Sequence, residues 1–149
     1  MKPLEGIKVV ELSTFVAGPS CARMLADWGA EVIKVESPQG DQFRTMGNNY
    51  RVPITDVRNP IFDNENANKS FIVLNLKEEK GLEAMLKLLE TADVFITNTR
   101  PKALRKLGLD YEQINDRCPR LVYGIVLGYG EEGPERDRPA FDYTTFYAR

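Results

Sequence analysis

Residues 7–41, IKVVELSTFVAGPSCARMLADWGAEVIKVESPQGD, hold two short β-branched runs around one helical stretch. Ile7–Leu12 (IKVVEL) and Glu31–Glu36 (EVIKVE) have the length and the Val/Ile content of buried strands. Between them, Ser20–Trp28 spaces Cys21, Met24, Leu25 and Trp28 at helical intervals. Pro19 suits the first turn of that helix and Gly29 its end. A strand, helix and strand joined so tightly predict a parallel pair with a right-handed crossover.

The same alternation recurs downstream. Phe71–Leu76, Val94–Thr97 and Leu121–Leu127 read as further strands. Lys77–Thr91 places Leu82, Met85, Leu86 and Leu89 along one helical face. Lys102–Leu107 predicts a short helix stopped by Gly108, and Asp110 is placed to cap another over Tyr111–Arg117. The fold class is therefore α/β, a mainly parallel sheet with flanking helices and binding sites at the carboxyl ends of the strands. Residues 37–70 carry no periodicity but hold Pro38, Gly40, Gly47, Pro53, Pro60 and six asparagines, the marks of a long loop. Such a loop either serves function or packs against something outside the segment.

Composition excludes several function classes. A chain of 149 residues is one domain's worth, long enough to bury a core. Net charge is −2, which supplies no field for nucleic acid or acidic lipid. No apolar run approaches a membrane span, and MKPLEGIKVVEL has no signal-peptide apolar region. Cys21 and Cys118 lie far apart without metal spacing, as in a reduced cytoplasmic protein. There is no histidine, which removes the Ser-His-Asp triad, the Cys-His pair and His-ligated zinc. Nucleophilic or acid–base chemistry must then use carboxylate, Lys, Tyr, Cys or Ser.

Read as a dinucleotide site, the opening unit fits only in part. Glu36 ends the second strand where an acid would hold a ribose hydroxyl, but STFVAGP has one glycine where the fingerprint needs three. A nicotinamide cofactor is disfavoured, leaving Glu36 a solvated strand end. The strand ends instead gather Val16 and Ala17, then Asn98, Thr99 and Arg100, then the GYG turn at Gly128–Gly130, with Lys77 and Lys106 in flanking segments. Backbone amides, cations and an arginine suit a phosphate-bearing, partly apolar ligand. Taken singly, Lys77 and Lys106 read as solvated surface, and Arg100 could equally pair with a loop carboxylate.

Residues 6–41, with ENANKSFIVLNLKEEKG, ADVFITNTRPKALRKLGLDYEQI, CPRLVYGIVLGYGEEGP and RPAFDYT, together resemble the family III coenzyme A transferases, over essentially the whole chain and in order. ENANKS and FDYTTFYAR are most similar to the branch acting on 2-hydroxy acids such as 2-hydroxyisocaproate and phenyllactate. The resemblance implies a Rossmann-like CoA-binding domain, of which residues 1–149 are the amino-terminal part, in a larger fold whose chains interlock as homodimers. It implies coenzyme A, carried as an acyl-CoA substrate, along the carboxyl edge of the sheet, with no metal and no NAD. Matched by position, Val16, Ala17, Leu74, Lys77, Asn98, Thr99, Arg100 and Lys106 contact it, and Ala140, Phe141 and Asp142 lie near the thioester end. Ser37 stands where some relatives carry arginine, and Val16 where the oxalate enzyme has glutamine, which favours a more apolar acid.

The family chemistry uses an aspartate that attacks the thioester and becomes an aspartyl-CoA intermediate, sheltered by a glycine-rich loop. By this resemblance both lie beyond Arg149, and Asp142 matches a structural carboxylate rather than the nucleophile. The expected protein is a CoA-transferase of amino acid fermentation whose partners are acyl-CoA and a small carboxylic acid. The 149-residue chain alone is expected to be inactive and prone to self-association through Phe141, Tyr143, Phe146 and Tyr147. A racemase of the same fold and a non-catalytic CoA-binding domain remain the alternatives.

Overall fold

A computed structural model describes residues 1–55 and 57–147. Among them, strands β1 (Lys8–Leu12), β2 (Glu31–Glu36), β3 (Lys69–Val73), β4 (Val94–Thr97) and β5 (Val122–Ile125) form one sheet in the order β3-β2-β1-β4-β5. Every neighbouring pair is parallel, so the expected βαβ unit and parallel sheet are present. Parallel neighbours require crossovers. They run through α1 (Ala17–Asp27), α2 (Pro60–Asn66), α3 (Glu79–Glu90), α4 (Pro101–Leu107) and α5 (Tyr111–Ile114), and α6 (Asp142–Phe146) follows the sheet. The chain leaves β1 toward β2 and returns to its other side as β4. Strand order reverses there, which opens a crevice outside the carboxyl ends of β1 and β4.

Strand alternation divides the core in two. Val9, Val32 and Ile96 meet Ala22 and Ala26 of α1 and Ala30 on one face. On the other, Val10, Val35 and Phe95 meet Met85 and Leu89 of α3, Leu104 of α4, and Leu109, Ile114 and Cys118. Each fully buried Leu, Met or Phe contributes about 1.5–3 kcal/mol, so the second face carries more of the stability.

The helix after β1 starts earlier than its Ser20 reading. It begins at Ala17 and turns Gly18, Pro19, Ala22 and Ala26 inward, while Cys21 is exposed and Met24 and Trp28 are 55% and 51% exposed. Small residues let α1 lie close on the sheet, and the larger stripe has no room beneath it. Gly18 marks the closest approach: a Cβ there would come 2.5 Å from Ser13 Cβ.

Residues 37–70 are more ordered than a loop. Two 3-10 turns, Gln42–Arg44 and Met46–Tyr50, precede α2. Asn59 caps α2 by accepting from the Phe62 N–H at 3.2 Å, with Pro60 in the first turn. Seven residues are too few to show a helical period. β3 occupies Lys69–Val73 rather than Phe71–Leu76 and, as an edge strand, leaves Phe71, Ile72 and Val73 exposed. α5 stops at Ile114 rather than Arg117. On α6 and just after it, Tyr143, Phe146 and Tyr147 are 74–79% exposed. Among the described residues no helix is long and apolar enough to cross a membrane.

Candidate functional site

Three walls, with Gln42 and Thr145 between them, enclose the crevice. Thr14, Phe15 and Ala17 leave β1, and Asn98 and Arg100 leave β4. The third wall is built from Val126–Gly128 after β5 and from the Arg136–Phe141 segment. Gly128 permits that closure, because a Cβ on it would sit 2.0 Å from Ala140 Cβ. Arg100, Arg136 and Arg138 bring three guanidinium groups to the lining. Arg138 is held by Glu135 at 2.8 Å, and Arg136 lies 3.6 Å from Asp137. Arg100 has no carboxylate within 4.0 Å among the described residues, which removes the loop-carboxylate reading of that side chain.

The turn after β1 is fixed residue by residue. Lys34 Nζ donates to the Ser13 carbonyl at 2.8 Å. Asn98 clasps Thr14, accepting from its N–H at 3.1 Å and donating to its carbonyl at 2.7 Å. Asp41 Oδ1 accepts from the Phe15 N–H at 3.4 Å and from the Phe43 N–H at 3.0 Å. Phe15 itself sits at φ 63°, a left-handed conformation that costs a non-glycine residue roughly 1–3 kcal/mol and persists only where the surroundings impose it. Its ring meets Phe43 and Phe141 edge-to-face, at centroid distances of 5.5 and 5.6 Å.

Behind this turn lies a buried ionic network. Lys34, fully buried on β2, pairs with Glu11 Oε1 at 2.8 Å and Asp41 Oδ2 at 3.0 Å. The Lys69 ammonium reaches Glu11 Oε2 at 2.8 Å, and also donates to the carbonyls of Pro19 and Glu65. Burial holds Lys69 below its ordinary value, with Glu11 pulling the other way. Two cations and two carboxylates balance, so no net charge is left in the core.

Glu36 is not a solvated strand end. It is buried, and Arg44 clasps it with hydrogen bonds of 2.7 and 2.6 Å while the Asp41 N–H donates at 3.0 Å. Arg44 in turn stacks over Phe62, 3.9 Å from the ring centroid. A carboxylate so engaged has nothing left for a ribose. Burial alone would raise its pKa, but the Arg44 and Asp41 hydrogen bonds and the charges of Arg44 and Lys34 outweigh it, leaving Glu36 below the usual 4.5. A folded-state pKa below the unfolded one gives stability that is present above pH 4.5 and lost as pH falls through the folded value. Glu36→Gln should therefore flatten the acid limb of a urea-midpoint curve below that pH. An unchanged limb would show that the Arg44 clasp contributes nothing.

Of the residues read from sequence, Ala17, Asn98, Arg100, Ala140 and Phe141 come together around the crevice. Val16 adjoins it as the cap of α1, exposed, and Thr99 follows β4 with its N–H on Thr97 Oγ1 at 3.1 Å. Leu74 packs beside the α3 core, Lys77 precedes α3 and Lys106 lies in the last turn of α4. None of these three lines the crevice. The Asp142 side chain lies outside the described set. Sequence reading missed Phe15, Gln42, Arg136 and Arg138. The RDR run at 136–138 was the available signal for the arginines, and nothing marked a left-handed Phe15.

The CoA-transferase family III model matches residues 4–148. The chain is 53% identical over 146 residues to (R)-2-hydroxy-4-methylpentanoate CoA-transferase of Clostridioides difficile, covering 98% of the chain and 37% of that protein. It is 51% identical over 144 residues to cinnamoyl-CoA:phenyllactate CoA-transferase of Clostridium sporogenes, covering 97% and 35%. The crystal structure of a CAIB/BAIF family protein from Brucella suis superposes with a TM-score of 0.87 at 40% identity, covering 95% of this chain and 38% of that one. The chain thus spans a little over a third of the length of these relatives, and the sheet and crevice described above lie within the shared part. The chain belongs to CoA-transferase family III.

Proposed function

We propose that the β1–β4 crevice holds coenzyme A, and that a longer protein containing this segment exchanges it between a 2-hydroxyacyl or enoyl thioester and a free 2-hydroxy acid. The carrying observation is the convergence of Arg100, Arg136 and Arg138 with an apolar wall of Phe15, Val126 and Phe141 at the point where strand order reverses. Guanidinium groups suit phosphate, and the aromatic wall suits the apolar part of the thioester. The named activities of the two bacterial relatives support a 2-hydroxy acid as the acceptor. In this reading the nucleophilic aspartate and its glycine-rich loop lie outside residues 1–149, and the complete protein works as a cytoplasmic homodimer. The 149-residue chain then binds the cofactor but does not turn over.

The test is to incubate the longer protein with an acyl-CoA and a 2-hydroxy acid. The new thioester should form with ping-pong kinetics, while the 149-residue chain yields none. Hydrolysis or racemisation without transfer by the longer protein, or turnover by the short chain, would overturn this reading.

A further inference from the structure

Residues held in a left-handed backbone without being glycine, and without a steric reason in their own sequence, point to an imposed geometry. Phe15, at φ 63°, is such a residue, and it stands in the crevice wall. Its constraint traces back through the core. Asp41 accepts from the Phe15 N–H, Lys34 holds both Asp41 and the Ser13 carbonyl, and Ser13 Oγ donates to Glu11 at 2.6 Å. Lys34 and Glu11 are direct partners across the β1–β2 register. Apolar residues at those two positions alone would strand Asp41 and Lys69 in the core, so the four charges act as one unit. Through Asp41 and the Ser13 carbonyl the network ties the crevice turn to the sheet.

We propose that Lys34, with Asp41, is a positioning residue for the crevice: it fixes the Ser13–Phe15 turn and so sets the Phe15 ring edge-to-face against Phe141, as a preformed wall for the apolar part of the ligand. This rests on the coenzyme A reading only for the ligand's identity. The turn is ordered before any ligand arrives, so binding does not have to order it. Phe43, 8% exposed, backs the ring from the core side.

The double variant Lys34→Met/Asp41→Asn keeps the buried charge balanced, because Glu11 retains Lys69. Hydrogen exchange on this variant should show the Thr14 and Phe15 amides, which are bonded to Asn98 and Asp41, exchanging at least about tenfold faster, beyond any change in β1 and β2. Coenzyme A titrated by calorimetry should bind roughly tenfold more weakly. Phe15→Gly relaxes the backbone, leaves the network intact and carries the ligand half of the test alone, with a similar loss of affinity expected. Unchanged protection of Thr14 and Phe15 relative to β1 and β2 in the double variant overturns the positioning role, whatever binds. Unchanged affinity in Phe15→Gly overturns the aromatic wall. A parent chain that binds no coenzyme A overturns the cofactor reading instead, and the exchange comparison still decides the positioning.

Discussion

Lys34→Met alone should cost the fold about 3–5 kcal/mol, the range expected when one partner of a buried ion pair is removed and the other is stranded. Lys34 Nζ lies within 3.0 Å of two carboxylates and donates to a carbonyl, all of them in the core. With methionine in its place, Glu11 still has Lys69, but Asp41 loses the one cation that lies within 4.0 Å of it among the described residues. Domains of this size hold only about 5–15 kcal/mol in total, so the single variant should lose a large part of its denaturation midpoint. The decisive comparison is with Lys34→Met/Asp41→Asn. Neutralising the stranded carboxylate should recover much of the loss, a coupling that contacting residues show and distant ones do not. A single variant that unfolds no earlier than the parent would mean that Lys34 is dispensable to the fold, its pairing no larger than the cost of burying it.

Lys34 also shows where the sequence was legible and where it was not. EVIKVE reads as a strand because its Val and Ile content outweighs one lysine, and β2 covers those same six residues. That the lysine faces the α1 side of the sheet beneath Glu11, Asp41 and Lys69 depends on three segments far apart in the chain. Pairing of this kind leaves no local period. Gly29 and Gly108 ended their helices as read, with φ of 106° and 71°, because left-handed caps are a local property. Helical spacing alone cannot tell the large-residue stripe of α1 from the small-residue stripe beside it. Tertiary closeness decides which one turns inward.

The site was legible in the same measure. Strand ends are local, and in a parallel sheet they gather on one edge, so Ala17, Asn98 and Arg100 could be placed together from the order of the strands. Lys77 and Lys106 carried no such constraint, since a flanking helix sets its own direction. Asn98 is a finer case. It stands at the crevice, yet its amide is spent in both directions on Thr14, so it shapes the edge rather than offering a free group to a ligand.

Arg100→Ala should weaken coenzyme A binding by roughly ten- to a hundredfold while leaving the melting temperature nearly unchanged. The side chain is exposed at the carboxyl end of β4, on the residue that precedes α4, and no carboxylate lies within 4.0 Å of it among the described residues. Its neighbours in the lining, Arg136 and Arg138, lie beside Asp137 and Glu135, so Arg100 is the guanidinium with its charge still to satisfy. A charge-assisted bond to phosphate contributes about 1.5–3 kcal/mol, and each 1.4 kcal/mol is a factor of about ten in affinity. An exposed side chain without a protein partner adds little to folding, so stability should move by no more than about 0.5 kcal/mol. Arg100→Lys separates charge from shape: an ammonium keeps the attraction but loses the planar fork, and should fall between parent and alanine. Raising the salt concentration should narrow the gap between parent and alanine variant, because an exposed ion pair is screened. Equal affinity for parent and alanine variants, at low salt and with the fold intact, would remove Arg100 from the phosphate end of the crevice and leave that part to Arg136 and Arg138.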